Sequence, residues 1–316
     1  MPLGDEERDD GRDSALVEIV DRVPDGQQHH RPPGHAGGRR GIGGCRHAAI
    51  VGPAEGLPIP LLCQFVSDSR HLPEAPTDIR DLTATASVHA HWHDENQVVY
   101  ASSGVLAVHT ARSRWITPAH RALWIPAGTV HSHRAYGVTR LHLFGFSQET
   151  SPLQLSEPTA IAVTPLLREL LIAYTALGRD RGTPAGRRMR AVLFDQLATA
   201  PERPVQVPAA RDPRLAALCR LLEQDPSDSR SLEALGREVG VSGRTLTRLF
   251  RHDTGMTFPQ WRTQLRLYHA LRLLAEDRPV TSVAQLCGFA TASAFIDVFR
   301  RCLGHTPGSF LHSGPS

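Results

Sequence analysis

One layout occurs twice in the C-terminal part of this 316-residue chain. In the first copy, Ser231 can cap a short helix, Gly240 permits a sharp turn, and Ser242 can cap a second helix. The apolar positions follow helical spacing: Leu232, Leu235, Val239, Leu246, Leu249 and Phe250. The order of helix, glycine turn and helix predicts a helix-turn-helix unit.

The second copy lies at residues 281–307, with Gly288 and Phe289 at its turn. The residues expected to face inward are Val283, Ala284, Leu286, Phe295, Val298 and Phe299. Between the copies, residues 258–277 predict one long amphipathic helix. Its apolar residues are Trp261, Leu265, Tyr268, Leu271, Leu273 and Leu274. Such a connector would hold the two units at a fixed separation.

The positive charge of the chain is concentrated in this same region. The sequence has no lysine, so all 35 basic residues are arginines, and the net charge is only +3. From Arg211 onward there are 14 arginines and 10 acidic residues. This surplus is permissive for DNA binding, and any cationic contact to DNA must come from arginine.

The outward face of the second helix in the first copy carries donors and positive charge but no carboxylate. These positions are Gly243, Arg244, Thr245, Thr247, Arg248 and Arg251. Such a face suits the major groove of DNA.

Residues 232–310 resemble the DNA-binding domain of the AraC/XylS family. The shared pattern runs L-x-x-L-G-R-E-V-G-V-S-x-R-T-L-x-R-L-F, then G-M-T-F-x-x-W, R-L-x-x-A-L-R-L-L, V-A-x-x-C-G-F and S-A-F-x-x-x-F-R-x-x-x-G-H-T-P. The resemblance implies a seven-helix domain that binds double-stranded DNA. It also implies base-reading positions in both units: Arg244, Thr245, Thr247, Arg248, Ala292, Ser293, Ala294 and Asp297.

The two units differ in chemistry. Arg244 can form a bidentate pair with guanine, whereas Arg248 suits base reading and phosphate contact equally well. In the second unit, Asp297 would repel phosphate, although it can accept from cytosine. We therefore expect the first unit to do most of the sequence reading, while Arg300 and Arg301 hold the DNA backbone.

Residues 86–146 have a different texture, with short apolar runs between turn signals. The run QVVYASSGVLAVHT predicts strand, turn and strand, and the whole region predicts a small β-sandwich or barrel. Residues 159–200 change to helical periodicity and predict two helices, a connector that offers an apolar face for a dimer or for packing on its own barrel. Residues 201–213 predict an interdomain linker, and residues 1–70 a disordered extension.

Histidines are concentrated in the β region. His91 and His93 are two residues apart, so both project from one face of a strand, and Gln97 follows. The segment P-A-G-T-V-H then ends at His131. Here the chain resembles the cupin motifs H-x-H-x3-E-x6-G and P-x-G-x-x-H, with Gln97 where the family usually has glutamate.

The cupin resemblance implies a barrel in which these four side chains hold a divalent metal. Glutamine is a poorer ligand than a carboxylate, so a metal-free effector pocket is an equal alternative, and no cofactor is certain. The remaining histidines of the region are interpreted as surface or satisfied core residues: His89, His109, His120, His133 and His142. Trp115 and Trp124 are expected in the barrel core.

The five cysteines form neither a disulfide framework nor a zinc finger, because they are scattered and none forms a C-x-x-C pair. The acidic start argues against a signal peptide, and no apolar run approaches the roughly 20 residues of a membrane span. We expect a cytoplasmic α+β protein: residues 71–158 as a cupin-like sensor barrel, and residues 214–316 as an all-α domain with two helix-turn-helix units.

The predicted function is sequence-specific transcription regulation by a homodimer that senses a small molecule or metal, with no catalytic residues. The alternative is a metal-dependent cupin enzyme with a helical appendage, which turnover would reveal. A nucleic-acid-binding protein without sequence preference is the third hypothesis, disfavoured by the modest charge.

Overall fold

A β-rich part and a helical part follow one another along the chain. The structure is a computed structural model that describes residues 68–153, 155–201 and 206–311. The segment predicted to be a disordered extension, residues 1–70, lies outside the described residues except for its last three. Within the described residues, the β-rich part precedes a run of helices, as the sequence predicts.

Nine strands within the described residues form one sheet: β1 Arg70–Leu72, β2 Asp78–Leu82, β3 Ser87–His93, β4 Asn96–Thr110, β5 Ser113–Thr117, β6 Arg121–Ile125, β7 His131–Phe146, β8 Thr159–Ala162 and β9 Gln206–Pro208. The long central strands are β4 and β7. β4 and β7 pair with each other along most of their length. All pairings in the sheet are antiparallel except that of β1 with β3. The path β1-β3-β7-β4-β5-β9 is extended by β2 on β7, by β6 on β4 and by β8 on β6.

The predicted strand, turn and strand at residues 97–110 was wrong, because this segment is the single strand β4. Its register with β7 shifts between Ala101 and Ser103 and again between Ser103 and Val105. A bulge changes which residues face a given side. Accordingly, Val99 and Ala101 share one core with Leu106 and Val108, although their numbers differ in parity. The register shifts thus let both ends of β4 contribute to that core.

The opposite face of the sheet is covered by two helices from the predicted connector, α1 Pro165–Ala176 and α2 Pro184–Thr199. Leu167, Leu171 and Tyr174 of α1 pack with Phe144 of β7. Packing on their own sheet, one of the two alternatives predicted for these helices, is therefore observed.

The segment predicted as an interdomain linker contains strand β9. Trp115, Arg114 and Ser113 of β5 pair with β9, and Val207 is buried. Pro208 is tolerated because it lies on an edge strand, where its missing N–H breaks no ladder bond.

Seven helices make up the helical part within residues 206–311, in agreement with the number that the resemblance implies. They are α3 Pro213–Gln224, α4 Leu232–Glu238, α5 Gly243–Thr254, α6 Phe258–Ala275, α7 Val280–Leu286, α8 Ala292–Leu303 and α9 Pro307–Leu311. Trp261, Leu265 and Leu274 of α6 lie in the centre of their core. No helix in the described ranges is both long enough and apolar enough to cross a membrane.

Candidate nucleic-acid interface and histidine cluster

The first candidate interface is the helix pair α4–α5. The Ser231 hydroxyl accepts from Ala234 N at 3.2 Å, and the Ser242 hydroxyl accepts from Thr245 N at 3.2 Å, so both predicted caps are confirmed. Between the helices, Gly240 takes the left-handed conformation with φ +68°. The turn is tight, because a side chain at Gly236 would meet the carbonyl oxygen of Val241.

Helix α5 buries Leu246, Leu249 and Phe250 and turns its arginines to solvent. Arg244, Arg248 and Arg251 are exposed. None of the three forms an ion pair with another of the described residues. The outer face of α5 therefore presents guanidinium groups that are available to phosphates or bases.

The two threonines of α5 are partly engaged within the helix. Thr245 shares a hydrogen bond with the cap hydroxyl of Ser242 at 2.9 Å, and Thr247 donates to Gly243 O at 2.9 Å. The Thr247 hydroxyl proton is thereby committed to the backbone, which leaves its methyl group and its oxygen lone pairs for a ligand.

The second pair, α7–α8, has the same layout with a different surface. Thr291 caps α8 by accepting from Ala294 N at 3.1 Å, and Gly288 takes φ +71° at the turn. Val283 and Ala284 are buried as predicted, but Leu286 is 52% exposed, so its prediction as an inward residue was wrong. It is the last residue of the short α7, beyond the reach of α8 packing.

Helix α8 carries little positive charge where it begins. Ser293 and Asp297 are exposed, Ala292 and Ala294 are half-buried, and Arg300 and Arg301 are exposed in the last turn. The cationic end of α8 is thus its C-terminus, whereas α5 carries Arg244 at its start.

The sheet contacts the helical part through polar groups on α3 and α6. Near the first pair, the indole of Trp261 in α6 donates to Pro208 O of β9 at 3.1 Å. His109 of β4 shares a hydrogen bond with the hydroxyl of Tyr268 at 3.1 Å. Arg114 of β5 forms an ion pair with Glu223 of α3. The two parts of the chain therefore share a core and a polar junction.

A cluster of four imidazoles lies on the sheet. His91 of β3 is the register partner of His131 of β7. The ring centroids of His91 and His131 are 4.3 Å apart, and that of His93 lies 5.0 Å from His91. His133 completes the cluster at 5.2 Å from His131. All four side chains are buried.

Backbone carbonyls fix the tautomers of three of these rings. Nδ1 of His91 contacts His89 O at 2.7 Å, Nδ1 of His131 contacts Thr129 O at 2.8 Å, and Nδ1 of His93 contacts Leu72 O at 3.3 Å. A carbonyl only accepts, so each Nδ1 carries the proton and each Nε2 keeps a lone pair. Metal-ligating histidines in proteins are oriented in this way.

The cluster has the chemistry of a metal site. One nitrogen from each of His91, His93 and His131 lies within 4.8 Å of the others. Burial lowers the pKa of His93 to about 4 and holds the pKa of His131 well below its ordinary value, so both imidazoles are neutral at pH 7. Neutral imidazole is the ligand form that binds a divalent cation.

Several buried polar atoms at the cluster have no hydrogen-bond partner within the described part of the chain. They include Nε2 of His93, His131 and His133. Both amide atoms of Gln97, on β4, are likewise buried without a partner among the described residues. By strand alternation, Gln97 shares the sheet face of Val99, whose side chain belongs to the buried core that also contains Leu106 and Leu123. Unsatisfied atoms in such a place fit a bound ligand.

Comparison with known proteins identifies the family. A model described as "Helix-turn-helix domain" matches residues 235–313. The chain is 30% identical over 222 residues to the HTH-type transcriptional regulator NimR of Escherichia coli K12, an alignment that covers 70% of this chain and 81% of NimR. The chain belongs to the AraC-type family of transcriptional regulators.

Two solved structures are each similar to about a third of the chain. A transcriptional regulator with an AraC-type DNA-binding domain from Chromobacterium violaceum is 28% identical, with a TM-score of 0.30, and the match covers 32% of this chain and 90% of that one. The DNA-binding domain of AdpA, solved with a target DNA, is 33% identical with a TM-score of 0.30, over 32% of this chain and 91% of that one. As a family member, the protein is a DNA-binding regulator rather than an enzyme.

The structure brings together three of the residues predicted for a metal or effector site, His91, His93 and His131. His133 was interpreted as a surface or satisfied core residue, yet it is buried beside them with an unsatisfied nitrogen. The signal was present in the sequence, since His131 and His133 repeat the two-residue spacing of His91 and His93. His142 does match that interpretation, because both its ring nitrogens are hydrogen-bonded.

Proposed function

We propose that α4–α5 and α7–α8 are two helix-turn-helix units that read one duplex DNA site, with α5 and α8 in the major groove. The observation that carries the proposal is the outer face of α5, where Arg244, Arg248 and Arg251 are exposed without ion-pair partners in the described ranges. DNA supplies the anionic partner that such a face lacks. The proposed contact residues are Arg244, Thr245, Thr247, Arg248, Arg251, Ala292, Ser293, Ala294, Asp297, Arg300 and Arg301.

In this proposal, the two units make different contacts with DNA. Arg244 at the start of α5 pairs with guanine, a contact worth about 1–3 kcal/mol of discrimination. The methyl group of Thr247 suits contact with thymine. In the second unit, Arg300 and Arg301 neutralise phosphates, and Asp297 accepts from a cytosine amino group. Helix α6 spaces the units so that both reach one face of the duplex.

The β-rich part is proposed as a cupin-like sensor that comprises residues 71–158 together with β8 and β9. Its site is formed by His91, His93, His131 and Gln97, and it takes a divalent metal or a small molecule. The free Nε2 lone pairs and the backbone-fixed Nδ1 protons support the metal. A metal bound there would supply open coordination positions for a further ligand.

Occupancy of the sensor is proposed to act on DNA reading through the shared core. The junction offers direct routes: His109 to Tyr268 in α6, and Arg114 to Glu223 in α3. A homodimer would present two readers to a repeated site. Leu166 of α1 and Val192 of α2 remain 53% and 43% exposed and are the apolar positions proposed for that contact.

Selection from a random duplex pool tests the proposed reading of DNA. The full-length protein is incubated with the pool at about 150 mM salt, where screening weakens non-specific association. We expect one motif with two half-sites to be enriched. Recovery of unrelated sequences, with and without added divalent metal, would contradict sequence-specific reading.

A further inference from the structure

The ligand set of the proposed metal site carries no negative charge. His91, His93 and His131 are neutral imidazoles, and Gln97 is an amide where the resembled motif has a carboxylate. Among the described residues, no acidic side chain joins the three histidines in a possible metal group. A divalent cation held there keeps its full charge.

Arg80 of β2, a charged side chain that acts on these histidines, is itself a cation. Burial is the main cause of the lowered pKa of His91, His93 and His133, and the positive charge of Arg80 lowers each pKa a little further. The guanidinium of Arg80 is in turn paired with Asp78 at 3.2 Å. Within the described part of the chain, the carboxylate beside Arg80 is therefore already paired with a cation, and burial of an uncompensated charge is costly.

Two further unsatisfied polar groups, of His133 and Trp115, lie on the sheet on either side of Val108. His133 of β7 is the register partner of Val108 of β4, which is in turn the partner of Trp115 of β5. Nε2 of His133 and Nε1 of Trp115 are buried without a hydrogen-bond partner in the described part of the chain. The indole N–H can only donate, so it requires an acceptor.

These observations specify one class of ligand. We propose that the sensor recognises a small anion, of the size of a carboxylate, that binds the metal held by His91, His93 and His131 and accepts hydrogen bonds from His133 and Trp115. The inference rests on the metal site proposed above. The anion balances the charge that Gln97 leaves uncompensated, and it supplies the acceptor that Trp115 lacks.

Cobalt substitution makes the site visible. The full-length protein is stripped with a chelator, loaded with one equivalent of Co²⁺, and titrated with azide and then acetate as probe anions. We expect a visible absorption spectrum of bound Co²⁺ that shifts and saturates with each anion.

Three variants assign the anion contacts. Gln97→Glu provides a carboxylate from the chain, so Co²⁺ should remain bound while azide affinity falls roughly tenfold or more. Trp115→Phe and His133→Phe each remove a donor and should weaken azide by about tenfold with Co²⁺ retained. Trp124→Phe is the matched control, because its indole already donates to Leu155 O at 3.4 Å and packs on the other face. It should bind azide as the wild type does.

The outcomes separate the two proposals. No Co²⁺ spectrum removes the metal site and this inference with it, while DNA selection by the protein is unaffected. Bound Co²⁺ whose spectrum ignores both anions overturns the anion inference and leaves the metal site standing. Equal azide affinity in the wild type, Gln97→Glu and Trp115→Phe also overturns it. His133→Phe is not essential, because Trp115→Phe reports on the same anion if His133→Phe fails to fold.

Discussion

The guanidinium of Arg121, at the start of β6, donates a hydrogen bond to the main-chain oxygen of Cys302 at 3.0 Å. Cys302 lies in the last turn of α8, where helix carbonyls lack partners within the helix. Arg121 is only 2% exposed, and a cation at a helix C-terminus is favourable. The sheet therefore helps to cap the helix proposed to read DNA in the second unit.

Replacement of this arginine should loosen the second unit. Arg121→Met removes the buried charged donor and is expected to lower the free energy of unfolding by about 1.5–3 kcal/mol, measured by urea denaturation. Arg112→Met is the control, because Arg112 pairs with Glu157 on the surface and should cost under about 0.5 kcal/mol. A footprint of Arg121→Met should weaken over one half-site. Equal stability and equal footprints in the two variants would refute this role.

Alanine substitutions at two turn glycines distinguish the cost of backbone strain from the cost of steric contact. Gly240 and Gly288 have φ +68° and +71°, so alanine is strained at both, by roughly 1 kcal/mol. A Cβ at Gly240 meets nothing within 4 Å, whereas at Gly288 it would lie 2.7 Å from backbone atoms of Ser227. Gly288→Ala should therefore cost at least about 1 kcal/mol more than Gly240→Ala in urea denaturation. Equal losses of unfolding free energy in the two variants would contradict this, because they would mean that the loop at Ser227 moves aside at little cost.

His142 predicts a dependence of stability on pH. It bonds to Ser102 at 2.9 Å and Thr175 at 2.8 Å, and burial lowers its pKa to about 4. The unfolded imidazole titrates near 6.5, so the unfolded chain binds more protons between pH 6.5 and 4 and stability falls as pH drops through that window. The free energy of unfolding is measured against pH with a chelator present. Its slope in this window should be shallower for His142→Gln than for the wild type by up to about 1.4 kcal/mol per pH unit. Parallel curves would contradict a neutral buried His142.

Local features of the fold were predictable from sequence. The caps at Ser231 and Ser242 act on backbone N–H groups three residues away, so their signal lies within one turn. The start of α1 at Pro165 carries an equally local signal, because proline suits the first turn of a helix. The His91–His93 spacing also sufficed to place two side chains on one face of a strand.

Long-range features were not predictable. Pairing of β9 with β5 lies in a proline-rich segment that resembles a linker, and only the partner strand reveals it. Arg121 and Cys302 are 181 residues apart, with no local pattern to connect them. The sequence predicts a turn where β4 has a bulge, because glycine and serine are common in both.

Binding to the selected DNA site tests the central claim, that the α5 face reads sequence. Affinities for that site and for a scrambled duplex are measured by fluorescence anisotropy for the wild type, Arg244→Ala/Arg248→Ala and Arg300→Ala/Arg301→Ala. The first double variant should lose about tenfold or more of the preference for the selected site. The second should weaken both duplexes alike and flatten the salt dependence by about one unit per phosphate contact. An unchanged preference in Arg244→Ala/Arg248→Ala would contradict the account.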